Sequence, residues 1–330
     1  MARNVILDVD TGSDDACAII LAALSKEINL LGLCAVNGNR PLEDTLRNTL
    51  KIVELLGIED KVPVIKGAAM PLVHTLLPGR RKNPKTPEIQ LDENGEEICY
   101  HPKEFNLPEP KTKEVDKNFV TWYIETIKNS TEKVTLVPVG PLTNIAILLR
   151  AEPSVVDNIE EIVIMGGGHI QRNSTAASEF NIWADPEAAE IVLTCGAKIT
   201  MVPLDATHAA STKLSEVQQY KDLNTPVGSM LAELIEIRTR AYNLIQPLHE
   251  PDLCPIHDAL CVAYIIDPNV LKNVLFTRVD VDMGGGFADG MTVVDTRKIH
   301  NSLENCYVAL DADRDLFNKI LYDRVASYKK

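Results

Sequence analysis

Four carboxylates crowd the stretch Ile6-Leu7-Asp8-Val9-Asp10-Thr11-Gly12-Ser13-Asp14-Asp15-Ala16. Asp8 and Asp10 close an apolar run of strand length, and Asp14 and Asp15 open a helical pattern. Mutual repulsion makes such a cluster unfavourable unless a cation neutralises it or some of the acids stay protonated. All-oxygen donors select a hard divalent ion, Mg²⁺ or Ca²⁺. The local geometry is legible: Gly12 permits a tight turn, Ser13 is placed to cap the helix, and Asp14 and Asp15 fall in a first turn that favours anions. Capping alone accounts for one or two acids, not four. An EF-hand is excluded, because its acidic loop joins two helices whereas this cluster follows a strand.

A strand-end Asp-x-Asp suits two chemistries. In a haloacid-dehalogenase-type phosphohydrolase the first Asp of Asp-x-Asp-x-Thr is a nucleophile beside Mg²⁺, and Asp8, Asp10 and Thr11 match that pattern. That chemistry also needs a downstream lysine and a second acidic motif. No convincing Gly-Asp pair followed by an Asp near a strand end is found, and Asp14-Asp15 has no role in it.

The elements that must position these acids follow from hydrophobic spacing. Near-continuous apolar runs at Asn4–Val9, Leu30–Val36, Lys133–Val139, Glu161–Met165 and Lys198–Pro203 predict strands covered on both faces. Three- and four-residue spacing predicts helices over Asp14–Leu24, Pro41–Leu56, Val115–Asn129, Leu142–Leu149 and Asp185–Cys195, the last with Pro186 at its first position. Further strands are expected at Leu275–Met283 and Cys306–Leu310, a helix at His257–Ile266, and a hairpin or bulge at Gly284–Gly286. The pattern is α/β: an open, mainly parallel Rossmann-like sheet with helices on both faces. In such sheets ligands bind at the carboxyl edge, where the acids lie. One domain is expected over 1–330, with a proline-rich loop insertion at about 78–113 and a mobile helical lid at about 205–256.

Charge and composition narrow the partners. Lys and Arg number 33 against 47 Asp and Glu, a net charge of −14 that repels nucleic acid. The longest apolar run, Ala16–Leu24, is about half of what a membrane span requires. The amino-terminal residues lack a signal-peptide pattern, and the seven cysteines include no C-x-x-C pair, so a cytoplasmic protein with free thiols and no membrane partner is expected.

Several blocks, taken in order, then resemble the nucleoside hydrolases, the inosine-uridine nucleoside N-ribohydrolase family. They are Asp8–Ala16, Val36-Asn37-Gly38-Asn39, Val139-Gly140-Pro141-Leu142-Thr143-Asn144, Met165-Gly166-Gly167-Gly168, Glu179-Phe180-Asn181, Asp185-Pro186-Glu187-Ala188-Ala189 and His257-Asp258-Ala259. The resemblance implies Ca²⁺ held by Asp10, Asp15, Asp258 and the Val139 carbonyl, bound to the ribose 2′- and 3′-hydroxyls and one water, with Asp10 as general base. It implies ribose contacts from Asp14, Asn39, Asn173, Glu179 and Asn181, with Met165 beside them. The implied reaction splits a ribonucleoside into ribose and free base through an oxocarbenium-like transition state, for nucleoside salvage. Family members are dimers or tetramers, so a homo-oligomer is expected.

Two departures bear on the base. The loop that carries a His-Gly element in inosine-uridine members reads Gly79-Arg80-Arg81-Lys82 with an acidic insert here, and its histidine is His101. The purine-specific branch sandwiches the base between tryptophans, whereas Trp122 falls in a covering helix and Trp183 reads as core. A non-specific or pyrimidine-preferring member is expected. Arg240, Tyr242, Gln246, His249 and His257 are the candidates to protonate the leaving base, with His257, His249 and Tyr242 foremost.

Overall fold

The structure, a computed structural model, describes residues 2–77, 89–91, 94–297 and 303–329. From the amino terminus, β1 (Arg3–Val9), α1 (Ser13–Ala23), β2 (Ile28–Ala35), α2 (Leu42–Leu56) and β3 (Val64–Lys66) alternate. An arm with the small pair β4 (Ile89–Leu91) and β5 (Glu97–Cys99) follows, then α3 (Phe119–Lys128), β6 (Val134–Pro138), α4 (Thr143–Ala151) and β7 (Ile159–Met165). Next come α5 (Phe180–Ala184), α6 (Pro186–Leu193), β8 (Ile199–Val202), α7 (Leu204–Ala209), β9 (Thr212–Lys213), α8 (Gln218–Lys221), the long α9 (Pro226–Ile245) and β10 (Leu253–Cys254). The chain ends through α10 (His257–Ile266), β11 (Leu271–Thr277), β12 (Val279–Val281), β13 (Thr292–Val294), β14 (Cys306–Ala312) and α11 (Arg314–Ala326).

Eight strands form the central sheet in the order β11-β14-β8-β7-β6-β1-β2-β3. Every neighbouring pair is parallel except β11 with β14. Strand order reverses at β1, so a crevice opens between the carboxyl ends of β1 and β6, the place where such sheets take ligands. One core layer packs Val5, Leu7 and Val9 against α1, α9 and α10; the other packs Ile6 against α3, α4 and α6. Asp8 shares the face of Ile6 by the two-residue period of a strand. It is 1% exposed and accepts hydrogen bonds from Tyr123 Oη at 2.7 Å and Asn144 Nδ2 at 2.8 Å.

The predicted strands of the first half appear within a few residues of their expected bounds, and several other elements differ for local reasons. Asn118 Oδ1 accepts from Val120 N and Thr121 N, so α3 begins at Phe119 and not at Val115. The strand expected at Leu275–Met283 is two strands: β11 starts at Leu271 and pairs with β14, whereas β12 pairs antiparallel with β13. Gly284–Gly286 lie in the hairpin loop joining β12 to β13, where Gly285 has φ +67°. The region at 205–256 is helical but interrupted by the β9–β10 pair. Of the insertion, Gly79-Arg80-Arg81-Lys82 and Asp92-Glu93 lie outside the described residues. Its last part docks on α2: Phe105 is buried, its backbone N–H donates to Asn48 Oδ1 at 3.2 Å, and its carbonyl accepts from Lys51 Nζ at 3.1 Å. Cys17, Cys34, Cys254, Cys261 and Cys306 are buried thiols. Among the described residues no helix is long and apolar enough to cross a membrane.

Asn144 ties three strand ends together: besides Asp8, its amide reaches the Ala35 carbonyl at 3.3 Å and accepts from Ala68 N at 2.7 Å. Asn144→Ala leaves these buried groups without their partner and is expected to destabilise the fold by about 2 kcal/mol, read as a lowered urea midpoint with unchanged slope.

Candidate active site

The acids meet at the crevice because a tight turn joins β1 to α1. Gly12, not Ser13, is the N-cap residue, and the helix starts one residue earlier than the capping pattern predicts. Asp15, in the first turn, folds back over that turn: Oδ1 accepts from Asp10 N at 3.0 Å and Oδ2 from Gly12 N at 2.9 Å. Ser13 is thereby free for other bonds. Asn39, from the loop after β2, donates its backbone N–H to Asp10 Oδ2 at 2.6 Å and its amide to Asp15 Oδ2 at 3.2 Å. Asp258 arrives from the first turn of α10. Carboxylate oxygens of Asp14, Asp15 and Asp258 all lie within 4.8 Å of one another.

Burial and mutual repulsion govern these groups. Asp15 is pushed up to about 6, first by burial and then by the Asp14 charge. Asp10 and Asp258 are held well above the usual carboxylate range by burial and by their acidic neighbours. A divalent cation would neutralise these acids, and an all-oxygen donor set suits a hard ion. The residues fit such an ion.

Facing the acids are amides and carbonyls suited to a polyol. Asn181 Nδ2 donates to the Val139 carbonyl at 2.8 Å and the Met165 carbonyl at 3.1 Å. Glu179 caps α5, accepting from Asn181 N at 2.9 Å and Ile182 N at 3.2 Å, and also binds Gly167 N at 2.9 Å. Burial nevertheless raises its carboxyl to about 7. Asn173 Oδ1 accepts from Phe180 N at 2.9 Å, fixing the loop before α5.

Asp14, Asn39, Val139, Met165, Asn173, Glu179, Asn181, Tyr242, His257 and Asp258 line one pocket. Asp10 and Asp15 lie immediately beneath it, 1% and 0% exposed. His249 is not in the lining. Gln246 ends α9, and His249 falls in the exposed turn between Pro247 and Pro251. Arg240 also points outward, toward Glu96 at 3.6 Å. Gln246 lines the pocket and donates to the Arg172 carbonyl at 2.7 Å. Trp183 packs with His74 and Phe180, and Trp122 with Tyr123; neither is in the pocket lining.

The lining also holds a linked pair. Tyr242 Oη lies 2.5 Å from His257 Nε2, and His257 Nδ1 lies 2.7 Å from Thr207 Oγ1. Thr207 donates its own hydroxyl to the Leu204 carbonyl, so it accepts from His257 Nδ1–H, and Tyr242 donates to Nε2. His257 is therefore neutral in this arrangement. Burial and the nearby Arg238 charge both push its pKa well down.

Several lining residues escaped the sequence reading as site groups, among them Arg238, Tyr100 and, in its placement, His101. Arg238 had a usable signal, since it shares the inward stripe of α9 with Leu231, Ile235 and Tyr242 at helical spacing. Tyr100 and His101 had none, because they reach the pocket through the docking of the arm. Ser13 Oγ donates to the Tyr100 carbonyl at 2.8 Å, and His101 Nδ1 accepts from Ser13 N at 3.3 Å.

Comparison with known proteins gives a consistent result. The family model described as inosine-uridine preferring nucleoside hydrolase matches residues 5–319. Pyrimidine-specific ribonucleoside hydrolase RihA of Photobacterium profundum is 35% identical over 328 residues, covering 99% of this chain and 100% of that protein. RihA of Escherichia coli O1:K1 / APEC is 35% identical over 337 residues with the same coverage. Among solved structures, the purine-preferring ribonucleoside hydrolase from Gardnerella vaginalis superposes with a TM-score of 0.83 at 30% identity, over 99% of each chain.

The raised carboxyls give a pH signature. In cation-free protein Asp8 and Glu179, both near 7, and Asp15, near 6, keep protons that the unfolded chain releases around pH 4. Their contribution to stability is present at about pH 4 and below and is lost as pH rises toward about 7. Thermal unfolding of EDTA-treated protein is expected to show a lower Tm at pH 7.5 than at pH 5.5, with an added divalent cation narrowing the gap; a Tm that rises over this interval would contradict the assignment.

Proposed function

The chain belongs to the inosine-uridine preferring nucleoside hydrolase family and hydrolyses the N-glycosidic bond of ribonucleosides; from that premise we propose a Ca²⁺-assisted enzyme preferring pyrimidine ribonucleosides, working in the cytoplasm as a homo-oligomer. The observation that carries this reading is the make-up of the pocket, which is lined both by carboxylates and amides, Asp14, Asp258, Glu179, Asn39, Asn173 and Asn181, and by the rings of Tyr100, Tyr242 and His257. Asp10, Asp15, Asp258 and the Val139 carbonyl would hold the ion. When bound, Ca²⁺ supplies the positive charge that settles the acids and polarises the oxygens it touches.

The chain's own groups divide the chemistry. Asp14, Asn39, Asn173, Glu179 and Asn181 accept from and donate to the ribose hydroxyls, with the Met165 carbonyl beside them, which fixes the anomeric carbon over the acids. Asp10 takes a proton from the attacking water as its oxygen bonds to C1′ and the C1′–N bond breaks. Carboxylates around the ring stabilise the cationic character that develops on the sugar. The departing base takes a proton at its ring nitrogen. Tyr242 supplies it by turning its hydroxyl from His257 Nε2 toward the base, and His257, neutral, keeps that hydroxyl in place until then.

A pyrimidine preference is supported by the two relatives named pyrimidine-specific and by base-end aromatics that are tyrosine and phenylalanine, with neither tryptophan in the lining. The rival reading, phosphate transfer through Asp8, is set aside. Its carboxyl faces Tyr123 and Asn144, away from the pocket lining, and the chain's family is one of glycosidases.

Reducing-sugar release from uridine, cytidine, inosine and adenosine tests the whole reading. Uridine or cytidine is expected to be fastest, with activity lost in EDTA and restored by Ca²⁺. Asp10→Asn is expected to lower kcat about 10³-fold, and Tyr242→Phe about 10²-fold with a small change in KM. Full activity after complete chelation, or an unimpaired Asp10→Asn enzyme, would overturn the mechanism.

A further inference from the structure

Three acids at the pocket, Asp14, Asp15 and Asp258, are close enough to share one ion, yet they are not equivalent. Arg238, 1% exposed and in the middle of α9, places Nη1 2.9 Å from Asp14 Oδ1. The same nitrogen lies 2.9 Å from Ser13 Oγ, while Nε and Nη2 donate to the Pro255 carbonyl at 3.1 and 2.9 Å. The guanidinium is thus held on both sides, by the start of α1 and by the chain entering α10. Its planar fork cannot swing to another acid without giving up Pro255. Among the described residues no ion pair reaches Asp10, Asp15 or Asp258.

We infer that Arg238 is a positioning residue that reserves Asp14 for the ribose: as its fixed counter-ion it withholds that carboxylate from the cation and leaves the ion to Asp10, Asp15 and Asp258. This rests on the proposed reading of the pocket as a cation and ribose site. The pairing is an ion pair in which Asp14 Oδ1 has no hydrogen-bond donor of its own, with His101 Nδ1 at 3.7 Å, so the carboxylate keeps its accepting capacity for a sugar hydroxyl. It is also a poor competitor for an ion whose charge it no longer needs. Arg238 therefore sorts four neighbouring acids into two tasks. The hydroxyl preference of the site then depends on a residue of α9, an element whose other pocket residues face the base.

The inference predicts effects of opposite sign on two ligands. Calorimetric titration of EDTA-stripped full-length protein with Ca²⁺, and of the Ca²⁺-loaded protein with ribose, is made for the wild type, Arg238→Met, Arg238→Lys, Asp14→Asn and the double variant. Arg238→Met is expected to bind Ca²⁺ at least about threefold more tightly, because Asp14 joins the donor set, and ribose about tenfold more weakly, the loss of one charge-assisted contact. Arg238→Lys keeps the charge and restores most of the ribose affinity. In the double variant the ribose loss is that of Asp14→Asn alone, since Arg238 acts through Asp14. In steady-state assays with uridine, KM rises more than kcat falls in Arg238→Met. Parallel weakening of Ca²⁺ and ribose would mark a merely structural arginine and overturn the inference; so would unchanged ribose binding, or additive losses in the double variant. A wild type that binds no Ca²⁺ would overturn the reading of the pocket and this inference together.

Discussion

Like charges forced together out of water are the constraint around which this molecule is arranged. Asp10, Asp14, Asp15 and Asp258 are buried within a few ångströms of one another, and acidic neighbours add to the cost of ionising Asp10, Asp15 and Asp258. The fold answers with fixed dipoles. Two helix starts point at the cluster, the backbone N–H groups of Asp10, Gly12 and Asn39 donate into it, and Arg238 contributes one full charge. These offset part of the repulsion and leave a remainder that a divalent ion fits. A fully compensated cluster would have no use for one.

The rest of the pocket is rigid for a related reason: its polar groups are already bonded to the scaffold. Glu179 serves three backbone N–H groups, Asn181 spans the ends of two strands through the Val139 and Met165 carbonyls, and Asn173 pins the entry of α5. Each keeps a second face for ligand. Such preorganisation costs no reordering when the sugar arrives, and it makes a missing hydroxyl expensive, because the group that should meet it stays buried and unpaired. Other lining residues are held differently: Tyr100, His101, Tyr242 and Gln246 come from the docked arm and the end of α9, and are tied in through Ser13, His257 and the Arg172 carbonyl.

That contrast explains what could be read from the sequence. The acids, the amides and the strand-helix alternation were legible because each is encoded within a few residues: Asp10 to Asp15 by one turn, Glu179 and Asn181 by one cap, β1 by its apolar run. Arg238 was half-legible, on the inward stripe of α9 but masked by the more conspicuous Arg240, which faces solvent. Tyr100 and His101 were not, since their position comes from contacts with Ser13, distant in sequence, and no local pattern reports a docking event. His249 was misplaced for the converse reason. Residue type suggested chemistry, while Pro247 and Pro251 set a turn that leads the chain away. The split of Leu275–Met283 into β11 and β12 likewise depends on which partner strand is adjacent, a tertiary fact.

The two-residue period of β1 puts Asp8 and Ile6 on one side and Val5, Leu7 and Val9 on the other. Sliding this strand by a single position would turn its aspartate toward the oily layer under α1, leave Tyr123 and Asn144 without an acceptor, and pull Asp10 from its seat against Gly38 and Gly140. Misthreading is thereby penalised through polar contacts as well as apolar ones. The amino-terminal strand carries its own alignment key, cut from the residues that stand at the threshold of the chemistry.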